Sequence, residues 1–192
     1  MRIITGSARG AALFTVPGPD VVRPTTQRVK EAMFSAVQFE IAGRRALDAF
    51  AGSGQLGIEA LSRGAASCVF LDRDPAALEA VRKNLEKTRL AGCAKVRQAD
   101  ALAFLRDSSR QNRDSFGLIF LDPPYGSDLL KQTLPLASAC LTPGGLLLCE
   151  APAQAALPET IGDVALRRAY RHGKTCVFVF QRAEADGNGE HA

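Results

Sequence analysis

The sequence predicts an α/β fold: a seven-stranded, mostly parallel sheet with helices on both faces, a C-terminal antiparallel hairpin and a small N-terminal hairpin-and-helix extension. Three observations carry this prediction. From residue 46 onward, short apolar runs alternate with segments of helical periodicity, the pattern of a parallel sheet wrapped by helices. The first apolar run leads directly into a glycine-rich turn that opens a helix, as βαβ units do. The chain closes with two extended runs joined at Gly173, which read as a hairpin.

The elements follow in order. Arg2-Ile3-Ile4-Thr5 and Ala12-Leu13-Phe14-Thr15-Val16 flank the stretch from Gly6 to Gly10, a hairpin with a basic, glycine-bearing turn. Pro24-Thr25-Thr26 announces a helix, because threonine can cap the first free amides and Val29, Met33, Val37 and Ile41 recur at helical spacing. Ala46 to Phe50, Cys68 to Leu71, Lys95 to Arg97 and Leu118 to Leu121 read as strands. Helices near 55–63, 75–90, 100–107 and 128–140 lie between and after them. Gly144-Gly145 turns into a fifth buried strand, Leu146 to Glu150, and Val164 to Tyr170 with Thr175 to Gln181 form the closing hairpin around Arg171-His172-Gly173-Lys174. Three segments result: a basic extension over 1–45, the α/β domain over 46–183 and a polar tail over 184–192.

A chain of 192 residues with 46% hydrophobic content can bury the core of one domain. No run reaches the roughly 18 apolar residues of a membrane helix, and the start lacks the apolar stretch of a signal peptide, so a cytoplasmic location is expected. The five cysteines form no Cys-x-x-Cys pair and read as buried small hydrophobes, with no metal site expected. Residues 1–45 carry seven Lys/Arg against three acids, while the other 17 basic and 17 acidic residues cancel. A basic appendage on a neutral body suits a phosphate-bearing partner, and an ordinary solvated face is the competing explanation.

Gly52-Ser53-Gly54-Gln55-Leu56-Gly57 is a G-x-G-x-x-G between a strand and a helix, where glycines permit a tight turn and close approach of a ligand. The pattern alone also serves nicotinamide and flavin cofactors. Asp72, 20 residues after Gly52 at the end of the second strand, stands where a carboxylate can accept both ribose hydroxyls of an adenosine ligand. Asp74 precedes Pro75 and reads as a helix cap. Asp100 can accept an adenine amino group or cap the next helix.

The fourth strand ends at Asp122, and Pro123-Pro124 then forbid continuation as helix or strand at the edge of the sheet where ligands bind. Asp122 and the Pro123 carbonyl can accept both hydrogens of an exocyclic amine, and Tyr125 offers a face for stacking a base. Such an amine is a poor nucleophile because its lone pair is delocalised into the ring; two acceptors localise that pair. A dehydrogenase explains the glycine loop and leaves this tetrapeptide unexplained.

At these residues the chain resembles the class I methyltransferases, with Asp48-Ala49-Phe50-Ala51-Gly52-Ser53-Gly54 similar to their first motif and Asp122 to Tyr125 similar to their fourth. Three longer blocks resemble the bacterial RsmD family: Arg2-Ile3-Ile4-Thr5-Gly6 with Arg9-Gly10, Arg23 to Glu31, and Gly57 to Ala65. That resemblance implies a Rossmann-like fold and transfer of methyl from S-adenosylmethionine, with S-adenosylhomocysteine as product. The acceptor it implies is N2 of guanine 966 in 16S ribosomal RNA, alone or in a 30S particle, with no membrane and no obligate protein partner. It also implies Asp48, Phe50, Gly52, Ser53, Gly54, Asp72, Asp100 and Ala101 around the donor and Asp122, Pro123, Pro124 and Tyr125 on the guanine. RNA is expected on the N-terminal segment, where Arg2, Arg9, Arg23, Arg28 and Lys30 are the basic candidates. Gln27 stands where family members often have an acid, and Asp72 where they often have glutamate. An adenine-N6 DNA methyltransferase and a protein glutamine methyltransferase use a similar tetrapeptide, and a catalytically silent RNA-binding assembly factor is the alternative outside enzymology.

Overall fold

The computed structural model describes residues 1–15, 24–110, 115–124 and 127–185, with the side chains of 24–26 left aside. Val16, Arg23, Tyr125 and the end of the polar tail lie outside the described residues. In chain order the elements are α1 (Pro24–Ala36), β1 (Arg45–Asp48), α2 (Gln55–Ser62), β2 (Ser67–Asp72), α3 (Pro75–Thr88), β3 (Ala94–Gln98), α4 (Ala101–Arg110) and β4 (Phe116–Leu121). Then come α5 (Leu129–Ala139), β5 (Leu141–Pro152), β6 (Thr160–Ile161), β7 (Val164–His172) and β8 (Thr175–Arg182).

These strands make one sheet in the order β3-β2-β1-β4-β5-β8-β7-β6, parallel from β3 to β5 and antiparallel beyond. The chain runs outward from β1 to β3 and then returns to lay β4 on the other side of β1. Such a reversal opens a crevice at the carboxyl ends of the strands. The sheet has eight strands, against seven expected from sequence. The additional one, β6, has two residues, too few for an alternating pattern to register. A second correction concerns β5: it starts at Leu141, and Gly144-Gly145 lies inside it, at a register shift between Phe116 and Leu118 of β4. The glycines bend a strand here; they do not precede one.

Local chemistry accounts for the helices. Asp74 accepts the amide of Ala76 at 2.8 Å with Pro75 at the first helical position, and α3 ends at Arg89 in the left-handed region with φ 60°. Gly57 lies within α2, where an added Cβ would stand 2.3 Å from the Phe70 ring, so only glycine lets α2 settle onto β2.

Apolar side chains pack on both faces of the sheet. Phe70, Phe120, Leu148 and Val177 meet α1, α2 and α3 on one face; Leu71, Leu121, Cys149 and Phe178 meet α4 and α5 on the other. Four of the five cysteines are buried and Cys93 is exposed. The N-terminal runs make a single antiparallel bridge, Arg2 with Ala12, extended by bonds from Ile3 to Ala11 and from Leu13 to Met1. Ile3, Ala8 and Leu13 are buried in the first core layer, so this segment is built into the domain. No helix among the described residues is long and apolar enough to cross a membrane.

Candidate active site

A cavity of about 730 Å³ opens at the crevice between β1 and β4. That volume lies within the range of small-ligand sites, roughly 300–1,000 Å³. Its walls include Asp48, Phe50, Gly52 and Ser53 from the first strand and turn, Asp72 after the second, and Asp100 and Ala101 after the third. Asp122, Pro123 and Pro124 complete it. Two signatures more than 60 residues apart in sequence therefore share one space. Gly54 is buried behind it with φ 81°, and a Cβ there would press on Ile58 and Val81 at 3.2 Å. Tyr125 falls outside the described residues.

Asp48 organises the glycine turn. Its buried carboxylate accepts the Gly57 amide at 2.9 Å, tying the end of β1 to the first turn of α2. Burial, and then the charge of Asp72, push its carboxyl up to about 7, against the lowering effect of hydrogen bonds from the Gly57 and Phe50 amides. A folded value above the unfolded one means that the stability linked to Asp48 is full below about pH 4 and lost as pH rises through about 7. Asp48→Asn retains an acceptor and does not titrate. The Tm of that variant relative to the parent is therefore expected to rise between about pH 5 and about pH 8 in thermal melts; a pH-independent difference would remove Asp48 from this role.

Asp72 accepts the Gly52 amide at 2.8 Å through one oxygen and the Asp74 amide at 2.9 Å through the other. An ionised carboxylate has about four lone-pair positions, so capacity remains for ribose hydroxyls. Asp100 caps α4 by accepting the Ala103 amide at 2.8 Å, its second oxygen lies 3.6 Å from Arg73, and it also faces the cavity. Capping and ligand contact, alternatives in the sequence, are compatible here.

Asp122 is exposed to the solvent of the cavity, with Glu150 of the neighbouring strand at its side. Desolvation, then the charges of Glu150 and Asp48, hold its carboxyl above the usual carboxylate range. The turn after it is tied by Ser127, whose hydroxyl donates to the Pro124 carbonyl at 2.7 Å.

Of the basic candidates, Arg2, Arg9 and Arg28 are exposed, with the Arg2 guanidinium donating to the Gly10 carbonyl at 2.8 Å. Arg23 is not described. Lys30 corrects the expectation of a phosphate contact: its side chain is 3% exposed, 3.4 Å from the Glu59 carboxylate, and donates to the Arg2 carbonyl at 3.1 Å. A buried cation already held by a carboxylate and a carbonyl cannot meet a phosphate without giving them up.

Three participants escaped the sequence reading. Glu150 stands on the cavity wall two residues before the end of β5, and its signal is a carboxylate directly after the apolar run Leu146 to Cys149. Asn84 donates to the Ser53 carbonyl at 2.9 Å and exchanges bonds with Phe14, and its signal is a polar residue within the buried stripe of α3. Glu59, fully buried, accepts the Ile4 and Thr5 amides, and its signal is a single charged residue within the apolar stretch of α2.

The sequence profile of the family described as Conserved hypothetical protein 95 matches residues 1–181. The Bacillus subtilis protein YlbH is 41% identical over 184 residues, covering 95% of this chain and 99% of its own. The ribosomal RNA small subunit methyltransferase D of Escherichia coli K12 is 36% identical over 192 residues, 99% of this chain and 93% of that one. The solved structure of the Escherichia coli protein yhhF superimposes with a TM-score of 0.80 at 34% identity, covering 96% of this chain and 99% of that one.

Proposed function

The chain belongs to the RsmD family of class I S-adenosylmethionine-dependent methyltransferases, and on that premise we propose that it methylates the exocyclic N2 of a guanine, guanine 966, in 16S ribosomal RNA. The observation that carries this reading is the shared cavity. Because β1 and β4 are hydrogen-bonded neighbours, the glycine turn and the Asp-Pro-Pro turn open into one space, as a donor and an acceptor must.

The residues present fit the donor. Asp72 takes the ribose hydroxyls, Asp100 and Ala101 flank the adenine, and the turn from Gly52 to Gly54 lets backbone approach without a side chain between. When bound, S-adenosylmethionine supplies a methyl group made electrophilic by its sulfonium. Everything else falls to the chain. Asp122 and the Pro123 carbonyl accept the two amine hydrogens and localise the nitrogen lone pair, and the Tyr125 ring is the stacking face. In its ionised form, a carboxyl held above its usual range is a stronger base than an ordinary aspartate, which suits Asp122 to receive the proton that leaves nitrogen. The exposed arginines of the N-terminal extension, Arg2, Arg9 and Arg28, hold phosphates in this reading, and the enzyme works in the cytoplasm on free RNA or a 30S particle. A target in a loop suits the pocket, since an unpaired base can be splayed out at modest cost.

The test uses tritiated donor with unmodified small-subunit particles and with protein-free ribosomal RNA. Label is expected in N2-methylguanosine at guanine 966. Label in N6-methyladenine or in protein overturns the guanine assignment, and donor binding with no transfer to either acceptor supports the silent assembly factor.

A further inference from the structure

The charge sum over residues 46–192 is zero, but the charges are not evenly placed. Residues 164–174, which form β7 and the turn after it, hold Arg167, Arg168, Arg171 and Lys174 and no acidic residue. All four are exposed. Arg167 is neutralised by Glu40 at 2.7 Å. The other three have no carboxylate partner among the described residues, and Arg171 is held by a neutral group, donating to the Ala153 carbonyl at 2.9 Å. Arg168 lies over the ring of the half-buried Tyr170, 5.9 Å from its centre.

The strand register places this group. Leu121 pairs with Cys149, Pro152 with Thr175, and Thr175 with His172, so the β7–β8 turn stands at the same edge of the sheet as Asp122 and Glu150. Three strand spacings separate β7 from β4, roughly 15 Å at the usual 4.8 Å each. The donor side of the cavity, on β1 and β2, lies on the other flank of β4.

We propose that the β7–β8 hairpin is a second RNA contact, in which Arg168, Arg171 and Lys174 hold backbone phosphates of the strand that delivers the target base to Asp122. The proposal rests on the RNA-methylation reading and extends it to a surface outside the N-terminal segment. The chemistry is charge complementarity: three cations without carboxylate partners, one already oriented by a backbone carbonyl, beside an acceptor pocket lined by acids. Edge protection is the competing explanation, because β6 covers only the first residues of β7 and charged side chains guard open edges. It accounts for Arg168 in mid-strand. It does not require cations alone, nor their extension into the turn at the catalytic edge.

The test is R168Q/R171Q/K174Q, with RNA affinity measured by fluorescence anisotropy on the unmodified small-subunit RNA across a salt series. The slope of log affinity against log salt is expected to fall by about 2–3, one unit per lost phosphate contact, and the KM for RNA to rise about tenfold or more with donor affinity unchanged. R168K/R171K, which keeps the charge, is expected to keep the slope. An unchanged slope and KM in the triple variant, or aggregation without an RNA defect, overturns the proposal. Should the triple variant not fold, K174Q alone, in the exposed turn, must lower the slope by about one. If the unaltered protein neither binds nor methylates the RNA, the methylation reading fails; if it does both and the variants match it, only the hairpin contact fails.

Discussion

Asp122→Ala is expected to lower turnover by about two to three orders of magnitude while changing donor affinity less than about tenfold. The difference follows from where the residue stands. Backbone and side-chain groups of the glycine turn and of β2 line the donor side of the cavity, whereas Asp122 closes β4 beside Glu150. In the proposed reaction its contribution is to the amine, whose positive charge develops only as the methyl group arrives. Asp122→Asn keeps one acceptor oxygen and is expected to lose less than Asp122→Ala. The pH profile separates acceptor from base: desolvation by the surrounding protein and the charges of Glu150 and Asp48 raise the Asp122 carboxyl, so the parent's rate is expected to fall as pH drops through that raised value. In Asp122→Asn this acid limb is expected to be lost. Single-turnover rates and donor titration across pH check both statements, and equal losses of turnover and donor affinity would move Asp122 to the donor site.

Glu59→Ala is expected to cost 3–5 kcal/mol of stability, about 6–20 °C in Tm for a domain of this size, as measured by denaturant and thermal unfolding. Glu59 is fully buried and accepts from Ile4 at 2.8 Å, Thr5 at 3.1 Å and Arg63 at 2.8 Å, with Lys30 at 3.4 Å. Burial holds the Lys30 pKa below its usual value, against the raising effect of the Glu59 charge and hydrogen bond. Without Glu59, two backbone amides and a buried ammonium lose their partner together. Glu59→Gln keeps acceptor oxygen without charge and should fall between. Because the same carboxylate joins the N-terminal bridge to α1 and α2, hydrogen exchange over residues 2–13 should quicken in both variants. A Tm within a degree of the parent would show that the ion pair contributes little.

The alternation of strand and helix was legible because side-chain period and turn chemistry are local properties. Asp74 before Pro75 announced a cap, and the structure has that cap at 2.8 Å. The glycine turn and the tetrapeptide were legible for the same reason, and the rule that ligands gather at the carboxyl edge of the sheet placed them together. The strand count fell short by one because β6 has two residues, and the start of β5 was misplaced because a glycine pair reads alike before a strand and inside a bent one.

What the sequence determined by itself is the fold class and the short motifs that line the two halves of the cavity, each motif carried by residues within a few positions of one another. Tertiary structure decided the rest. It committed Lys30 to Glu59, 29 positions away, and set Glu150 beside Asp122 through strand pairing. It also brought Arg171 and Lys174 to the edge where Asp122 stands, although the charge sum had hidden them. A sum over sequence has no position, and Coulomb interaction and desolvation depend on little else.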